Sequence, residues 1–385
     1  MLSNTTGSRK KKLLDEQKIN QFTSAVMHDL DATAHCALAY IGDKLGLYKA
    51  MAKAKNKGVT SQELANITRT SERYIRDWLA EQASKHYIFY HPSTGRYTLP
   101  EEHAAVLANE TSHNYLAGGF QLLISVLKQQ PKIAEVFRTG GGFEWGDHDV
   151  GVFEGQARLN SIQYRTHLTD KWIPSLIDVE DKLCRPEGAK VADIGCGYGI
   201  STTIMAKAYP SSSFVGVDNH ALSIETARKR VKEHGLGNED RLSFITARGE
   251  SFPRHGGYDL VTFFDCFHDM GNPFAVARHV KDVLKPDGTL MLVEMAAGDK
   301  VEENIESPTG TNGYAGSIFV CLPTAFAEMK KSAMFVNSDR EVLDILPLGG
   351  MASAKTIESL LRTCGFTKFR CALKDDFNMI LEAKP

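Results

Sequence analysis

The chain has 385 residues, 42% of them hydrophobic, with 45 Lys and Arg against 47 Asp and Glu and a formal net charge of -2. That length holds a large and a small domain or two of ordinary size, and the near-neutral charge excludes a global electrostatic drive toward nucleic acid or an anionic membrane. Seven scattered cysteines without a CxxC pair exclude a disulfide or zinc framework and point to reduced thiols in the cytoplasm.

The opening stretch MLSNTTGSRKKKLLDEQ carries a basic run, Arg9 to Lys12, followed by only a Leu pair. It lacks the apolar core of a signal peptide, so residues 1–18 read as a solvated, disordered N-terminus. No run reaches the ~18 apolar residues of a membrane span. From Ile19 to about Ala54, Phe22, Val26, Leu30, Ala34, Leu38, Ile41 and Leu45 recur at helical spacing and form a face that needs a partner. Next, Thr60 and Glu63 make a capping box. A turn at Arg69 to Ser71, a helix with Ile75, Trp78 and Leu79, and a PSTG hairpin complete a winged helix. Its second helix alternates Glu72, Asp77 and Glu81 with Arg73, Arg76 and Lys85, without the basic surplus of a groove reader. A dimerisation role over residues 19–110 is therefore expected, and nucleic acid is not.

Residues 111–184 predict a helical linker that contributes to a substrate pocket, interrupted by the Gly-rich RTGGGFEWGDHDVG as a flexible entrance. Tyr164 and Trp172 on the following helix face either pocket or core.

The segment KVADIGCGYGISTTIMAKA begins with a strand, Lys190 to Ile194, passes through Gly195, Gly197 and Gly199, and enters a helix. A second strand, Ser213 to Val217, ends on Asp218 and Asn219. This is the opening βαβ of a doubly wound fold, with glycines that admit a ligand to the backbone and an acid placed for ribose hydroxyls. Ile200 stands where a dinucleotide fingerprint needs its third glycine.

Asp193-x-Gly195-x-Gly197-x-Gly199, with Asp218 19 positions after Gly199, resembles motif I of the class I methyltransferases that use S-adenosylmethionine (SAM). The later landmarks RLSFITARGESFP, YDLVTFFD, GTLMLVEMA, FTKFRCAL and FNMILEAKP follow the family's strand order over residues 185–385. The resemblance implies a Rossmann-like α/β domain, a seven-stranded sheet with an antiparallel last strand, behind an α-helical winged-helix domain. It also implies SAM as cofactor, S-adenosylhomocysteine as product, and a homodimer. Asp193, Gly195, Gly197, Gly199, Asp218, Asn219 and Asp265 are the cofactor residues by this likeness. Arg248 replaces the acid that many members carry near the adenine, leaving that contact to Arg248, Gly249 or Glu250.

VTFFDCFHDMGNP is similar to the His-Asp region of small-molecule O-methyltransferases, and with LVEMAAGDKVEENI it resembles a winged-helix branch of them. The likeness implies His268 as general base and Asp269 as its partner, with Glu294 as a second carboxylate able to orient the ring. The acceptor is then a small molecule, most simply at a hydroxyl, whose proton an imidazole with an ordinary pKa near ~6.5 can take. Residues 298–350 form a lid insertion with Tyr314, Ser317 and Cys321 as wall candidates, and Tyr164 and Tyr314 are the substrate residues expected. For Cys321, plain burial outranks a ligand role. No metal is expected, because no second cluster at ligand spacing accompanies FHD. A thiol or nitrogen acceptor, a SAM-sensing regulator and a non-methylating SAM enzyme stay open.

Overall fold

The computed structural model describes residues 14–233, 235, 240–335 and 347–385. The chain divides into two compact units, one ending at Asn109 and one spanning Glu110–Pro385. Residues 111–184 lie in the second unit.

In the first unit a helix spans Glu16–Lys44, and the Asp15 carboxylate accepts from the Gln17 and Lys18 amides at its N-terminus. Residues 16–18, expected to be disordered, therefore lie in this helix, while residues 1–13 fall outside the described residues. The single helical stretch expected to Ala54 is broken at Gly46, which has φ 70° and opens a second helix, Leu47–Ala54. Only glycine takes that conformation at little cost. The apolar stripe of the first helix stays on the unit's surface, with Phe22 73% and Leu30 61% exposed. Helix Ser61–Thr68 starts on the Thr60–Glu63 capping box, followed by helix Glu72–Ser84. Strands β1 (Phe89–His91) and β2 (Arg96–Thr98) pair antiparallel as the wing. Trp78 packs where a Cβ on Gly42 would stand 2.5 Å away, and its indole N–H donates to the Leu38 carbonyl.

The second unit is built on strands β3 (Lys190–Ile194), β4 (Ser213–Asp218), β5 (Leu242–Thr246), β6 (Tyr258–Phe264), β7 (Leu284–Met295), β8 (Lys368–Lys374) and β9 (Asn378–Lys384). Their order is β5-β4-β3-β6-β7-β9-β8, with β9 antiparallel to both neighbours and the strands from β5 to β7 parallel. Alternate residues serve opposite faces. Val261, Phe263, Leu290 and Leu292 join one core with Val276, Val280, Ile357 and Leu361 of two covering helices. Leu260, Phe264, Met291 and Val293 join the other with Trp172, Met205 and Ile224. A parallel strand covered on both faces reads as a continuous apolar run, which is why TFFD and LMLV were legible as strands.

The topology also places the site. From β3 the chain winds outward through β4 to β5 and then returns to the other side of β3 as β6. The carboxyl ends of β3 and β6 are therefore the switch point where open α/β sheets form a crevice. Over that edge lie helices Val301–Ile305 and Gly310–Gly316, a π-helical turn Ser317–Cys321 and helix Leu322–Phe335. Residues 336–346 of the expected lid lie outside the described residues.

Candidate functional site

A cavity of about 640 Å³ opens at this edge, its walls drawn from the ends of β3, β4, β6 and β7, the insertion and residues 119–164. The loop after β3 runs through Gly195, Gly197 and Gly199 at φ 68°, 51° and 69°, a succession of left-handed residues that no L side chain follows cheaply. Gly197 has open space where its Cβ would stand, so its backbone faces the cavity bare. Its N–H donates to Asp218 Oδ2 at 2.9 Å, and Asp218 Oδ1 accepts from the His220 amide at 2.8 Å. Burial raises the Asp218 pKa, opposed by these two N–H donors, and each oxygen has further acceptor capacity beyond them. Asn219 lines the same wall.

Two residues expected at the cofactor do not reach the wall. Asp193 is fully buried, and its carboxylate accepts from Ser201 Oγ, Thr202 Oγ1 and Thr262 Oγ1. Burial raises its pKa to about 6 despite those three donors. It ties the glycine loop to helix Ile200–Ala208 and β6, positioning the backbone rather than touching a ligand. Gly199 is the N-cap of that helix and yields space to the Phe244 ring, which a Cβ would meet at 2.5 Å.

At another wall, Arg248 Nε pairs with Glu250 Oε1 at 2.6 Å and Nη1 with Glu328 Oε2 at 2.9 Å. Arg248, Gly249, Glu250 and Glu328 all line the cavity. The Gly-rich segment expected as a flexible entrance is instead fastened to the same helix. The Phe143 N–H donates to the Pro323 carbonyl, His148 Nε2 contacts Thr324 Oγ1, and Lys331 pairs with Glu144. Trp145 and Phe153 from this region line the cavity near the His220 ring.

Beyond β6, Asp265 adopts φ 55°, a conformation that costs a non-glycine residue about 1 kcal/mol and recurs at functional sites. Burial raises its pKa to about 6. Next, the short helical turn Phe267–Asp269 presents His268, 2% exposed. Its Nδ1 is hydrogen-bonded to Glu294 Oε2, while Glu294 Oε1 accepts from the Phe267 amide at 3.1 Å. The other nitrogen, Nε2, lies 3.3 Å from Cys321 Sγ and 3.2 Å from Asp269 Oδ1. No hydrogen bond of good geometry reaches the buried Asp269 Oδ1 from Nε2, and the Cys321 thiol interacts with the same carboxylate. Burial by itself lowers the His268 pKa, but Glu294 and Asp269 outweigh it and hold the ring well above the ordinary imidazole range. Cys321 is pushed up to about 12 by burial.

Tyr164 lines the cavity, and its ring meets Phe264 at 5.4 Å. Tyr314 does not line it: its hydroxyl accepts from Asn304 Nδ2, while its neighbours Asn312, Gly313 and Ala315 form the wall. Both π-helical stretches, Tyr164–Trp172 and Ser317–Cys321, contribute cavity residues, as such stretches often do at functional sites. Sequence reasoning missed Asn378, which enters the wall from the C-terminal hairpin and donates to Gln163 Oε1 at 2.8 Å. It also missed the contact of Cys321 with His268. No local signal marks either, since 53 residues separate the Cys from the His.

Residues 186–334 match the profile of a methyltransferase domain, and residues 33–109 that of the Rv2258c-like winged HTH domain. A ubiquinone biosynthesis O-methyltransferase of Actinobacillus pleuropneumoniae is 31% identical over 27% of this chain and 44% of its own length. A trans-aconitate 2-methyltransferase of Variovorax paradoxus is 42% identical over 50% of this chain and 64% of its own. The chain thus spans less than two thirds of these curated relatives. Among solved structures, the mitomycin 7-O-methyltransferase MmcR aligns with a TM-score of 0.67 at 14% identity, over 96% of this chain and all of its own. Human N-acetylserotonin methyltransferase, in complex with SAM, aligns at 0.62 and 15% identity, over 98% of this chain and 99% of its own. These likenesses establish the fold.

Proposed function

From a chain that joins a winged helix-turn-helix domain to a class I methyltransferase domain, we infer that this protein transfers the methyl group of SAM to a hydroxyl of a small molecule. The observation that carries the reading is one continuous cavity with the bare Gly197 backbone and Asp218 at one part of its wall and the His268 ring at another. Asp218 receives the ribose hydroxyls, with Gly195, Gly197 and Asn219 beside it, and the loop of Arg248, Gly249 and Glu250 borders the adenine. Asp265, at the end of β6, faces the donor's methionine portion.

Methyl transfer is a displacement at carbon with a sulfonium leaving group, so most of the barrier reduction comes from alignment of oxygen, methyl and sulfur. The remaining task is removal of the hydroxyl proton. Against burial, Glu294 and Asp269 favour the protonated ring in the free chain, so the base is the deprotonated form. In that form Nδ1–H donates to Glu294 and Nε2 carries the lone pair that takes the proton as the C–O bond forms; turnover should therefore rise with pH. Asp269 borders that nitrogen. Tyr164, Phe264, Met295, Phe319 and Phe377 give the acceptor end an apolar lining. Among the described wall residues the cation other than His268 is Arg248, which two carboxylates already engage. An uncharged acceptor suits this wall better than a carboxylate.

Two further parts of the reading rest on the first unit and the thiols. The exposed stripe of Phe22, Val26 and Leu30 supports a homodimer, which sedimentation equilibrium tests. Seven free cysteines support a reducing, cytoplasmic setting.

The test of the function is mass spectrometry of a metabolite extract incubated with the protein and SAM carrying an isotopically labelled methyl. A labelled small product is expected. Absence of label from every small molecule, with S-adenosylhomocysteine binding shown by calorimetry, would overturn transfer in favour of sensing.

A further inference from the structure

We propose that the acceptor carries a lactam or carboxamide edge, a C=O and an N–H side by side, which Asn378 and Gln163 bind at the end of the cavity away from Asp218. This deepens the methyl-transfer reading and rests on it for the place of the acceptor. The two residues are 215 positions apart, yet Asn378 Nδ2 donates to Gln163 Oε1 at 2.8 Å and both side chains line the cavity. An amide offers two N–H donors and a carbonyl oxygen. After their mutual bond, Asn378 Oδ1, its second N–H and the Gln163 NH₂ have no partner among the described residues. Turning both amides over exchanges the roles and again leaves donors beside an acceptor.

Gln163 belongs to a polar stripe. Gln156, Asn160 and Gln163 lie four and three residues apart on helix Val150–Gln163, and Tyr164 opens the π-helical stretch, so they share one face. All four line the cavity; Gln156 Nε2 donates to Asn160 Oδ1, and Asn160 Nδ2 to the Tyr164 hydroxyl. A wall for a purely apolar acceptor would not carry this stripe, because an amide covered without a hydrogen bond costs free energy. Behind it Trp172, 1% exposed, has an indole N–H without a partner. A second cavity of about 20 Å³, room for one water, is lined by Trp172 together with Gln163 and Asn378. Asp265 also lines it, and a carboxylate there disfavours an anionic group while accepting an N–H.

Sheet order puts the pair on the acceptor's side. Asn378 opens β9 opposite Met295 of β7, the residue after the Glu294 that holds His268. Asp218 ends β4, four strands from β9, which at about 4.8 Å per strand is roughly 19 Å. His268 follows β6, between them. A donor with its ribose on Asp218 and its methyl toward His268 therefore leaves Asn378 beyond the reacting oxygen. The acceptor's C=O takes an N–H of the pair, and its N–H goes to the pair's free carbonyl oxygen. A lactone cannot make the second bond, and a site built to bond an N–H rejects the analogue without it because its own groups are then left unpaired.

The experiment is calorimetric titration of the full chain, saturated with S-adenosylhomocysteine, with 6-hydroxy-2-quinolone and its lactone isostere 6-hydroxycoumarin. The lactam should bind at least about tenfold tighter. Asn378→Leu should bring the two Kd values within about twofold, and Gln163→Leu should do the same from the other side of the pair, with thermal melts confirming the fold. Equal binding of the two probes by the wild-type chain, or binding of neither at millimolar concentration, overturns the proposal. So does a lactam preference that the folded variants keep. A folded variant that loses S-adenosylhomocysteine affinity overturns it too, by assigning the pair to the donor. The product-bound chain moves no methyl group, so failure here is separate from failure of methyl transfer.

Discussion

Arg248 Nη1 stands 2.9 Å from Glu328 Oε2, joining the loop after β5 to helix Leu322–Phe335 across one wall of the cavity. Glu328 is 7% exposed, and its helix backbone presses on Gly271, so the pair closes a wall rather than decorating a surface. Glu328→Gln keeps the shape and removes the charge. It should speed S-adenosylhomocysteine release roughly fivefold, the equivalent of about 1 kcal/mol for a part-exposed charged hydrogen bond. Stopped-flow release that is unchanged in rate would show that this pair does not gate the donor.

His268→Ala should lower turnover at least about tenfold while leaving donor affinity within about twofold, because the ring acts on the acceptor proton. Single-turnover kinetics isolate the chemical step. Unchanged turnover with chemistry rate-limiting would remove the base assignment.

Asp218 holds the glycine loop through the Gly197 amide, and in the proposed reading it receives the ribose hydroxyls. Asp218→Ala should weaken S-adenosylhomocysteine by about 10- to 100-fold, or roughly 1.5–3 kcal/mol for lost charge-assisted hydrogen bonds. Calorimetry reads this directly, and an affinity within twofold of wild type would place the ribose elsewhere.

Tyr314→Phe removes a hydroxyl that bonds Asn304 outside the cavity wall. Activity should stay within about twofold, whereas Tyr164→Phe alters a wall residue and should change the acceptor KM. Steady-state kinetics on the two variants compares them; a large loss in the Tyr314 variant would mean that this helix rearranges around the acceptor.

Burial, and next the nearby Lys132, lower the His148 pKa to about 4, so the folded chain holds this ring neutral. A depressed histidine leaves stability undiminished above the unfolded value of ~6.5 and drains it as pH falls toward the folded value, by up to about 3 kcal/mol. The chain should lose melting temperature between pH 6.5 and 4, and His148→Gln should flatten that slope. Superimposable pH profiles for the two proteins would refute the assignment.

What was legible along the chain is what neighbours in sequence determine. The Thr60–Glu63 capping box closes within one turn. The strand Lys190–Ile194 was readable because parallel strands buried on both faces are apolar at consecutive positions. Gly195 and Gly197 were readable because their positive φ excludes other residues. These facts by themselves determined a winged helix and a doubly wound α/β sheet with a glycine loop after its first strand, and they put His268 at the end of its fourth parallel strand in chain order. Only the tertiary structure decided how the polar groups are spent. Asp193 looks like a ligand by spacing, yet Ser201, Thr202 and Thr262 consume it. Tyr314 looks like a wall residue, yet Asn304 engages it outside the cavity, and Cys321, expected as plain core, meets the His268 ring. A side chain's spacing states what it offers, but a hydrogen bond needs a partner in range. Those partners are brought by segments far apart in the chain.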